Sequence, residues 1–510
     1  MEKKYLVGID RGASGVRAAC FDLEGNCLGS SIASIPTHSP EPGQLICKMN
    51  ELEDALIESI RNMLKDSGVN PGEIAGISTS IAGGRLTGID ENGDYPFDSI
   101  FVDADARGKS HVGTAFEKLA AGGISREEYQ SITFTSPYES ALILALRDTE
   151  PEKFATVKKW AFSEHPIIAR ALGAEDWVDV EGWAKQTGCY NAYAQEYDAD
   201  ICHIFDIKPE DWVPRACAGE LCGTVSKESA AKTGLAVGTP IFVGNNDNTP
   251  HLLAQGAVSD EDIACTLGTY GVLLRFFNEP IYDGGNSAYP GSNGFKHGYK
   301  MTTLVMGMGA SYNWLRNNIC FGFEPEAKQQ GMNIYEYMNV LAAKSSLGSN
   351  GVLFNPNVLG SMTNRKMKAS FLGIGVTSTT NDLIRAVMEG VAYDFKIALQ
   401  TMIKATKKEA NSVRVAGGIS NSDLWMQMFA DVCDVTILKS ACHPELTACM
   451  GAAMTAGIGA GVYSSFEDAI TKAVKEPTPV KPIPENVELY KKYFDNYERC
   501  LKILNEQVYA

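Results

Sequence analysis

The chain of 510 residues is too long for one ordinary hydrophobic core, so two domains, or three, are expected. A formal net charge of −17 excludes nucleic acid as the main partner, because a phosphate backbone needs a basic face, and it excludes an anionic membrane surface for the same reason. A local basic pocket for a small anion stays open. None of the 13 cysteines forms a C-x-x-C pair, their number is odd, and most stand beside apolar residues, as reduced core cysteines do. The histidines show no H-E-x-x-H spacing. The start, MEKKYLVGID, has too short an apolar run for a signal peptide, and no stretch reaches the ~18 apolar residues of a membrane span. These features predict a soluble protein of a reducing compartment, the cytoplasm.

In chain order, KYLVGI reads as a buried strand that ends at Asp10. VRAACFDLEG returns as a second strand, so residues 4–30 read as a hairpin meander bent at DRGASG. KLAAGGISREEY (118–129) reads as a helix end and loop. The strand TPIFV ends at Gly244, and Thr249-Pro250 opens a helix, which puts Asp247 at a strand's C-terminal end. Open α/β sheets bind ligands there, although a helix cap or turn residue gives the same pattern. A second small-residue bend follows in IACTLGTYGVLLRFF (263–277). Residues 369–391 read as a strand end, a loop and a helix capped at Asn381, with Leu383, Ile384, Val387, Val391 and Phe395 on one face. VRVAGGISNSDLWMQMFADV (413–432) is a strand, a Gly-Gly turn and a helix capped by Ser420 or Ser422; paired glycines let a flat ligand lie on bare backbone. ACMGAAMTAGIGAGVY (448–463) reads as a helix packed tightly on a neighbour. The Pro-rich EPTPVKPIPEN (476–486) reads as a surface connector before a docked last helix (487–504).

Gly12, Gly15 and Val16 match Gly268, Gly271 and Val272 at an offset of half the chain, each between apolar strands. G-x-x-G alone is common, but the matched strands favour two halves built on one plan. Two such bends facing each other would offer two sets of backbone N–H groups, a cradle for a polyphosphate. Neither is a Walker A loop. Asp10 beside phosphates would be repelled unless a divalent cation lay between, and Mg²⁺ binds through one or two carboxylates plus phosphate oxygens.

GIDRGASGVR resembles the first phosphate hairpin of the actin-like ATPase and sugar kinase superfamily. ASFLGIGVTSTTNDLIRAVMEGV (369–391) resembles the second signature of its FGGY carbohydrate kinases across its whole length. The resemblance runs through most of the chain, including AKTGLAVGTPIFVGNND (231–247), MGMGASYNWLR (306–316) and GAAMTAGIGAGVYSSFEDA (451–469). It implies an α/β fold of two ribonuclease H-like, actin-type domains around a central cleft: residues 1–254 for the sugar, the first hairpin and the base, and 255–510 for ATP. It implies that Asp10, Gly12, Ala13, Ser14 and Arg17, with Gly268 and Thr269, meet the phosphates of ATP, and that Gly309, Asn313, Gly417, Gly418 and Ser422 meet the nucleoside. Asp247 is then the base that takes the proton from a sugar hydroxyl, and it shares Mg²⁺ with Asp10. Asn248, Arg85, Asp105 and Tyr138 are the further substrate contacts it implies.

The sequence departs from the family in places. The stretch STSIAGGRLTGID (78–90) has neither the Gln-Met-His-Gly nor the Gln-Arg-Glu-Thr sugar motif, which weighs against glycerol kinase; Arg85 is its one long polar side chain and is equally a solvated surface charge. VDADARG (102–108) keeps Asp105 and Arg107 of a Trp-x-Asp-x-Arg segment without the Trp. Ala13 stands where the family has Thr, so weakened activity is the most expected of it. The implied function is ATP-dependent phosphorylation of a small sugar, a ketopentose such as xylulose, with other ketoses, polyols and autoinducer signals as alternatives. An actin-like ATPase that works by assembly and a catalytically weak sugar or nucleotide sensor are the other classes. Homodimers are common in the family, though nothing in the sequence marks an interface.

Overall fold

The first stretch folds as the predicted meander. In the computed structural model, which describes residues 3–102, 105–279, 281, 288–295 and 298–509, Tyr5–Arg11 (β1), Gly15–Asp22 (β2) and Cys27–Ser34 (β3) are antiparallel neighbours. Gly15 is required at the bend, since a Cβ there would come within 2.5 Å of the Ala33 carbonyl oxygen. Ile74–Ile81 (β4) runs parallel to β1 on its other side. Leu221–Thr224 (β5) and Pro240–Phe242 (β6) complete the edge, β6 parallel to β4 and β5 antiparallel to β6. The short Asn245–Asn246 (β7) extends β6's side of β4.

The second half repeats this order. Ile263–Leu267 (β8), Gly271–Phe277 (β9), Tyr289–Ser292 (β10) and Tyr299–Val305 (β11) include the three antiparallel strands β8, β9 and β11. Ser412–Ala416 (β12) and Thr436–Lys439 (β13) are parallel additions, and Thr478–Val480 (β14) is an antiparallel edge. The strand order is therefore β3-β2-β1-β4-β6-β5 in one sheet and β11-β9-β8-β12-β13-β14 in the other, with β10 added beyond β11. The two bends differ by one residue. Arg11 pairs with Val16 across a four-residue turn, and Leu267 pairs with Gly271 across a three-residue turn.

The helix Met49–Ser67 (α1) buries Leu52, Leu56, Ile60 and Met63 with Val7, Ile9 and Ile77 of the first sheet. In the second half Met308–Asn318 follows β11, and Thr380–Thr406, Asp423–Cys433 and Pro484–Ile503 pack with Leu273, Val413 and Ile437. The helix Thr447–Gly459 is buried on every side through Gly457, as the small-residue run predicted. Its neighbours belong to the first half: Cys449, Met450 and Ala453 pack with Leu6, Ala19, Ala75 and Phe242. A Cβ on Gly8 would fall on the Cys449 carbonyl oxygen, and one on Gly451 on the Pro250 carbonyl.

Two local expectations change. The Pro-rich connector contains β14, with Pro479 opposite Leu438; an edge strand tolerates proline because only one side needs hydrogen bonds. The helix at 380 is capped by Thr379, not Asn381, because Asp382 reaches back to accept the Thr379 N–H at 2.8 Å. All cysteines are free thiols. Among the described residues, no helix is long and apolar enough to cross a membrane.

Candidate active site

Three parallel strands bring the first carboxylates together. Asp10 on β1 stands beside Ser80 on β4, and Ser80 beside Asn245 on β7. At the spacing of neighbouring strands, Asp10 and Asn245 are about 10 Å apart. Asp247 follows two residues on, held by its backbone N–H to the Ile81 carbonyl at 2.9 Å. Number the helix Asn248–Ala254 α2. Asp247 occupies its capping position but makes no capping hydrogen bond. Asn246 does that work: its Oδ1 accepts the N–H groups of Asn248 at 3.2 Å and Thr249 at 3.1 Å. The Asp247 carboxylate is left free of the helix end, with Asn248 Nδ2 donating to Oδ1 at 2.8 Å. Ser80 donates to Asp10 Oδ1 at 2.9 Å.

Burial pushes the Asp247 pKa up to about 6; the Lys300 ammonium opposes this and the Asp10 charge adds to it. Burial also raises Asp10, against the pull of His251, Ser80, Arg17 and Arg11. His251 lies on α2 with Nδ1 at 2.6 Å from the Thr447 hydroxyl. Lys300, at the start of β11, is buried, donates to Asn246 Oδ1 and lies 5.6 Å from the Trp183 ring centre. Burial lowers its pKa to about 7, with the Lys185 charge adding to the effect and Asp247 opposing it. Lys185 donates to the Pro290 carbonyl at 3.0 Å, and burial lowers its pKa to about 8. Lys185 from the first half thus acts on Lys300 from the second, and Lys300 in turn on Asp247.

The tips of both bends, Ala13-Ser14 and Gly268-Thr269-Tyr270, are exposed. Among the described residues, the N–H groups of Ala13, Ser14 and Thr269 donate to no protein acceptor, as an anion cradle requires. Number Met308–Asn318 α3. Its first turn grips the second bend: Gly309 N–H donates to the Gly268 carbonyl at 3.0 Å and Ala310 N–H to Thr269 at 3.1 Å. Beside it opens a cavity of about 470 Å³ lined by Gly268, Thr269, Gly309, Asn313, Gly418 and Ser422. A Cβ on Gly417, whose φ is +133°, would fall 2.3 Å from the Leu267 carbonyl oxygen, and the residue stands next to this lining. Ser422, not Ser420, caps Asp423–Cys433. Sequence reasoning missed the cavity's aromatic wall. Tyr312 and Tyr335 stack at 6.0 Å, and the Tyr335 hydroxyl donates to Asn313 Oδ1 at 2.8 Å. Their spacing is that of ordinary core, so only the packed chain reveals them.

The expected substrate residues fall into two groups: the Arg85 charge acts on Asp247 and lowers its pKa, whereas Asp105 and Tyr138 line a separate small cavity. Arg85 is no solvated charge: it is buried, 3.8 Å from Glu164, whose other oxygen pairs with the buried Arg11 at 2.8 Å. Arg11 and Arg85 thus share one carboxylate behind the first bend. Asp105 caps the helix Ala106–Ala121; it accepts from Leu45 N–H at 2.9 Å and from Arg107 N–H, Nε and Nη2. Burial pushes its pKa up, but those donors bring it below the usual carboxylate value. Half-exposed Tyr138 meets Asp105 and Gly84 around a small cavity of about 20 Å³. Position 103, where the Trp would stand, lies outside the described residues. The 82–84 turn is held instead from Glu181–Thr187: Gln186 accepts the Gly84 N–H at 2.5 Å, and Trp183 Nε1 donates to the Ile81 carbonyl at 2.7 Å. No motif in the sequence marked that segment.

The model of the N-terminal domain of the FGGY family of carbohydrate kinases matches residues 5–254, and the model of its C-terminal domain matches 263–460. The chain belongs to the FGGY family of carbohydrate kinases. It is 26% identical over 98% of its length to a xylulose kinase of Staphylococcus epidermidis, covering 97% of that protein. It is also 26% identical to the L-xylulose/3-keto-L-gulonate kinase of Escherichia coli, over 98% of this chain and 97% of that one. The crystal structure of a gluconate kinase from Lactobacillus acidophilus superposes with a TM-score of 0.87 at 22% identity, over 99% of both chains. The fold is thus the two-domain, actin-like ATPase fold, and this FGGY kinase is a phosphotransferase with an alcohol group as acceptor.

Sugar kinases of the family use ATP as the phosphate donor. A divalent cation fits the residues present. The Asp10 charge raises the proton affinity of Asp247, and a cation between them would relieve that repulsion. Among the described residues, no three His, Cys, Asp or Glu side chains form a ready-made metal cluster, so phosphate and water would supply the remaining ligands of this FGGY kinase.

Proposed function

We propose that this FGGY kinase transfers the γ-phosphoryl group of Mg·ATP to a hydroxyl of a small keto sugar, a ketopentose such as xylulose being the reference acceptor. The observation that carries this reading is Asp247: a carboxylate at a strand end, released from capping by Asn246 and near enough to Asp10 at the first bend to feel its charge. The adenosine lies in the cavity between Gly268 and Ser422, and the polyphosphate runs over the free N–H groups of the bends. Asp247 accepts the proton of the attacking hydroxyl as the new O–P bond forms, and the bond to the β-phosphate oxygen breaks to release ADP. The cation supplies charge neutralisation on the phosphates when bound. Asn248 holds one Asp247 oxygen, which orients the other toward the acceptor. Closure of the halves expels water, which would otherwise compete as acceptor. The names of the relatives support an acceptor of this size.

A coupled ADP-release assay with Mg·ATP, run against ketoses, aldoses, polyols and sugar acids, tests the reading. One acceptor should drive turnover, and Asp247→Ala should lower kcat by at least ~10²-fold with nucleotide binding unchanged. Nucleotide binding without any acceptor-dependent turnover would point instead to a sensor. Turnover unchanged in Asp247→Ala would remove the base from the mechanism.

A further inference from the structure

A second cavity, of about 390 Å³, lies in the C-terminal half and shares no lining residue with the nucleotide cavity. Number Thr380–Thr406 α4, Asp423–Cys433 α5, Thr447–Gly459 α6 and Pro484–Ile503 α7. Asp394, Ile397 and Thr401 of α4 follow the i, i+3, i+7 spacing of one helical face and line one wall. Leu501 on α7 lines another, and Met306, Met362 and Met367 supply thioethers from the end of β11 and the loop that follows β11's neighbouring helices. The loop is tied to the C-terminal turn by Asn364, which donates to Asn505 Oδ1 and to the Tyr509 carbonyl, each at 2.9 Å. The volume falls within the range of small-molecule sites.

Asp394 is the unusual residue in this wall. Tyr497, itself fully buried, donates to its Oδ1 at 2.6 Å. Among the described residues, no lysine, arginine or histidine lies within ion-pair distance of it, and Oδ2 receives no protein donor. Lys502 and Glu498 also line the cavity, are exposed, and form no ion pair with it. Burial raises the Asp394 pKa to about 6, so the group is ionised near neutral pH. With Oδ1 taken by Tyr497 and the residue only partly buried, Oδ2 is left open to a cationic donor from a ligand. An anion would meet the Asp394 and Glu498 carboxylates, while Thr303, Asn357, Thr363 and Thr401 offer hydrogen-bond partners to a ligand's polar groups beside the thioethers. Methionines adapt to apolar bodies of varied shape.

We propose that this cavity is a second ligand site for a small organic amine, its ammonium on Asp394 and its apolar body among the three methionines. The test uses the full chain, with tryptamine as probe and tryptophol, its neutral hydroxyl counterpart, as control. Calorimetry should show saturable one-to-one binding of tryptamine and at least tenfold weaker binding of tryptophol. Methyl-labelled methionine NMR should show Met306, Met362 and Met367 shifting together. Asp394→Asn should reduce tryptamine to the tryptophol level and leave acceptor-dependent turnover unchanged. Thr401→Phe, which fills the cavity from α4, should abolish binding of both and serves if Asp394→Asn does not fold. Absence of tryptamine binding at millimolar concentration would overturn the proposal. So would equal affinity for the two probes, or binding that survives both substitutions.

Discussion

Replacing Lys300 by methionine should move the acid limb of the rate profile upward. Burial holds Asp247 at about 6 even though the Lys300 charge pulls it down. The Lys300 ammonium reaches Asn246, the residue beside the base, a separation from the carboxylate on the order of 6 Å. At an effective dielectric near 20 that attraction is roughly 3 kcal/mol, or about two pH units; partial exposure of Asp247 reduces this to between one and two. The sign is fixed by the chemistry. A base must be ionised, so activity is present above its pKa and is lost as pH falls through it. Without Lys300 the pKa rises, and activity is lost at higher pH. kcat/KM in Lys300→Met should therefore fall roughly 5- to 50-fold at pH 6 and hardly at all at pH 9. The assay is the pH dependence of kcat/KM for the sugar at saturating Mg·ATP. A loss equal at all pH values would refute the reasoning; it would mean that Lys300 acts by holding Asn246 and the start of α2.

Other substitutions test the surrounding frame. A Cβ at Gly309 would sit 2.6 Å from the Gly268 carbonyl oxygen, so Gly309→Val should displace the second bend and raise KM for ATP by about tenfold or more, with the sugar's KM less affected. Glu164→Gln removes the anion shared by buried Arg11 and Arg85; a destabilisation of about 3–5 kcal/mol is expected in urea unfolding, and less than 1 kcal/mol would show that the arginines find other partners. Gly8→Ala would drive a methyl into the Cys449 backbone. It should lower stability by more than about 3 kcal/mol or prevent folding, whereas Gly113→Ala, in open space, should not.

Much of the fold was legible because it depends on local pattern. The two bends announced themselves by small residues between apolar strands, and the matching sheet orders bear out the duplication. The one-residue difference between the turns was not visible, because an aligned Gly-x-x-Gly spacing says nothing of which residues pair across it. Asp10 and Asp247 were legible as strand-end carboxylates. Asn246 was not distinguished from its neighbours, since its capping role depends on where α2 begins. Lys185 and Lys300 were missed for another reason. They lie far apart in sequence, and each sits in an unremarked run, GWAKQ and HGYKM. A lysine in a strand otherwise poor in charge was the only signal for Lys300. Arg85 could be read as solvated or functional; the choice was made by Glu164, a residue that no local pattern connects to it.

The placement of α6 bears on how this protein can be divided. Its buried face completes the core under the first sheet, although it is separated from that sheet by nearly the whole second half of the sequence. A fragment cut near residue 254 would carry β1 and β4 with their underside bare, and apolar Leu6, Ala75 and Phe242 would meet solvent. The ribosome, too, must release residues 447–459 before the earliest strands are fully covered. Nascent chains would then hold an exposed greasy face for most of synthesis, a window in which chaperone capture or co-translational aggregation competes with completion. Between the halves, the backbone crosses after α2, again before α6, and a third time between Val474 and β14, so opening and closing must bend three connections together. A tether of that kind favours rotation about one axis over free swivelling.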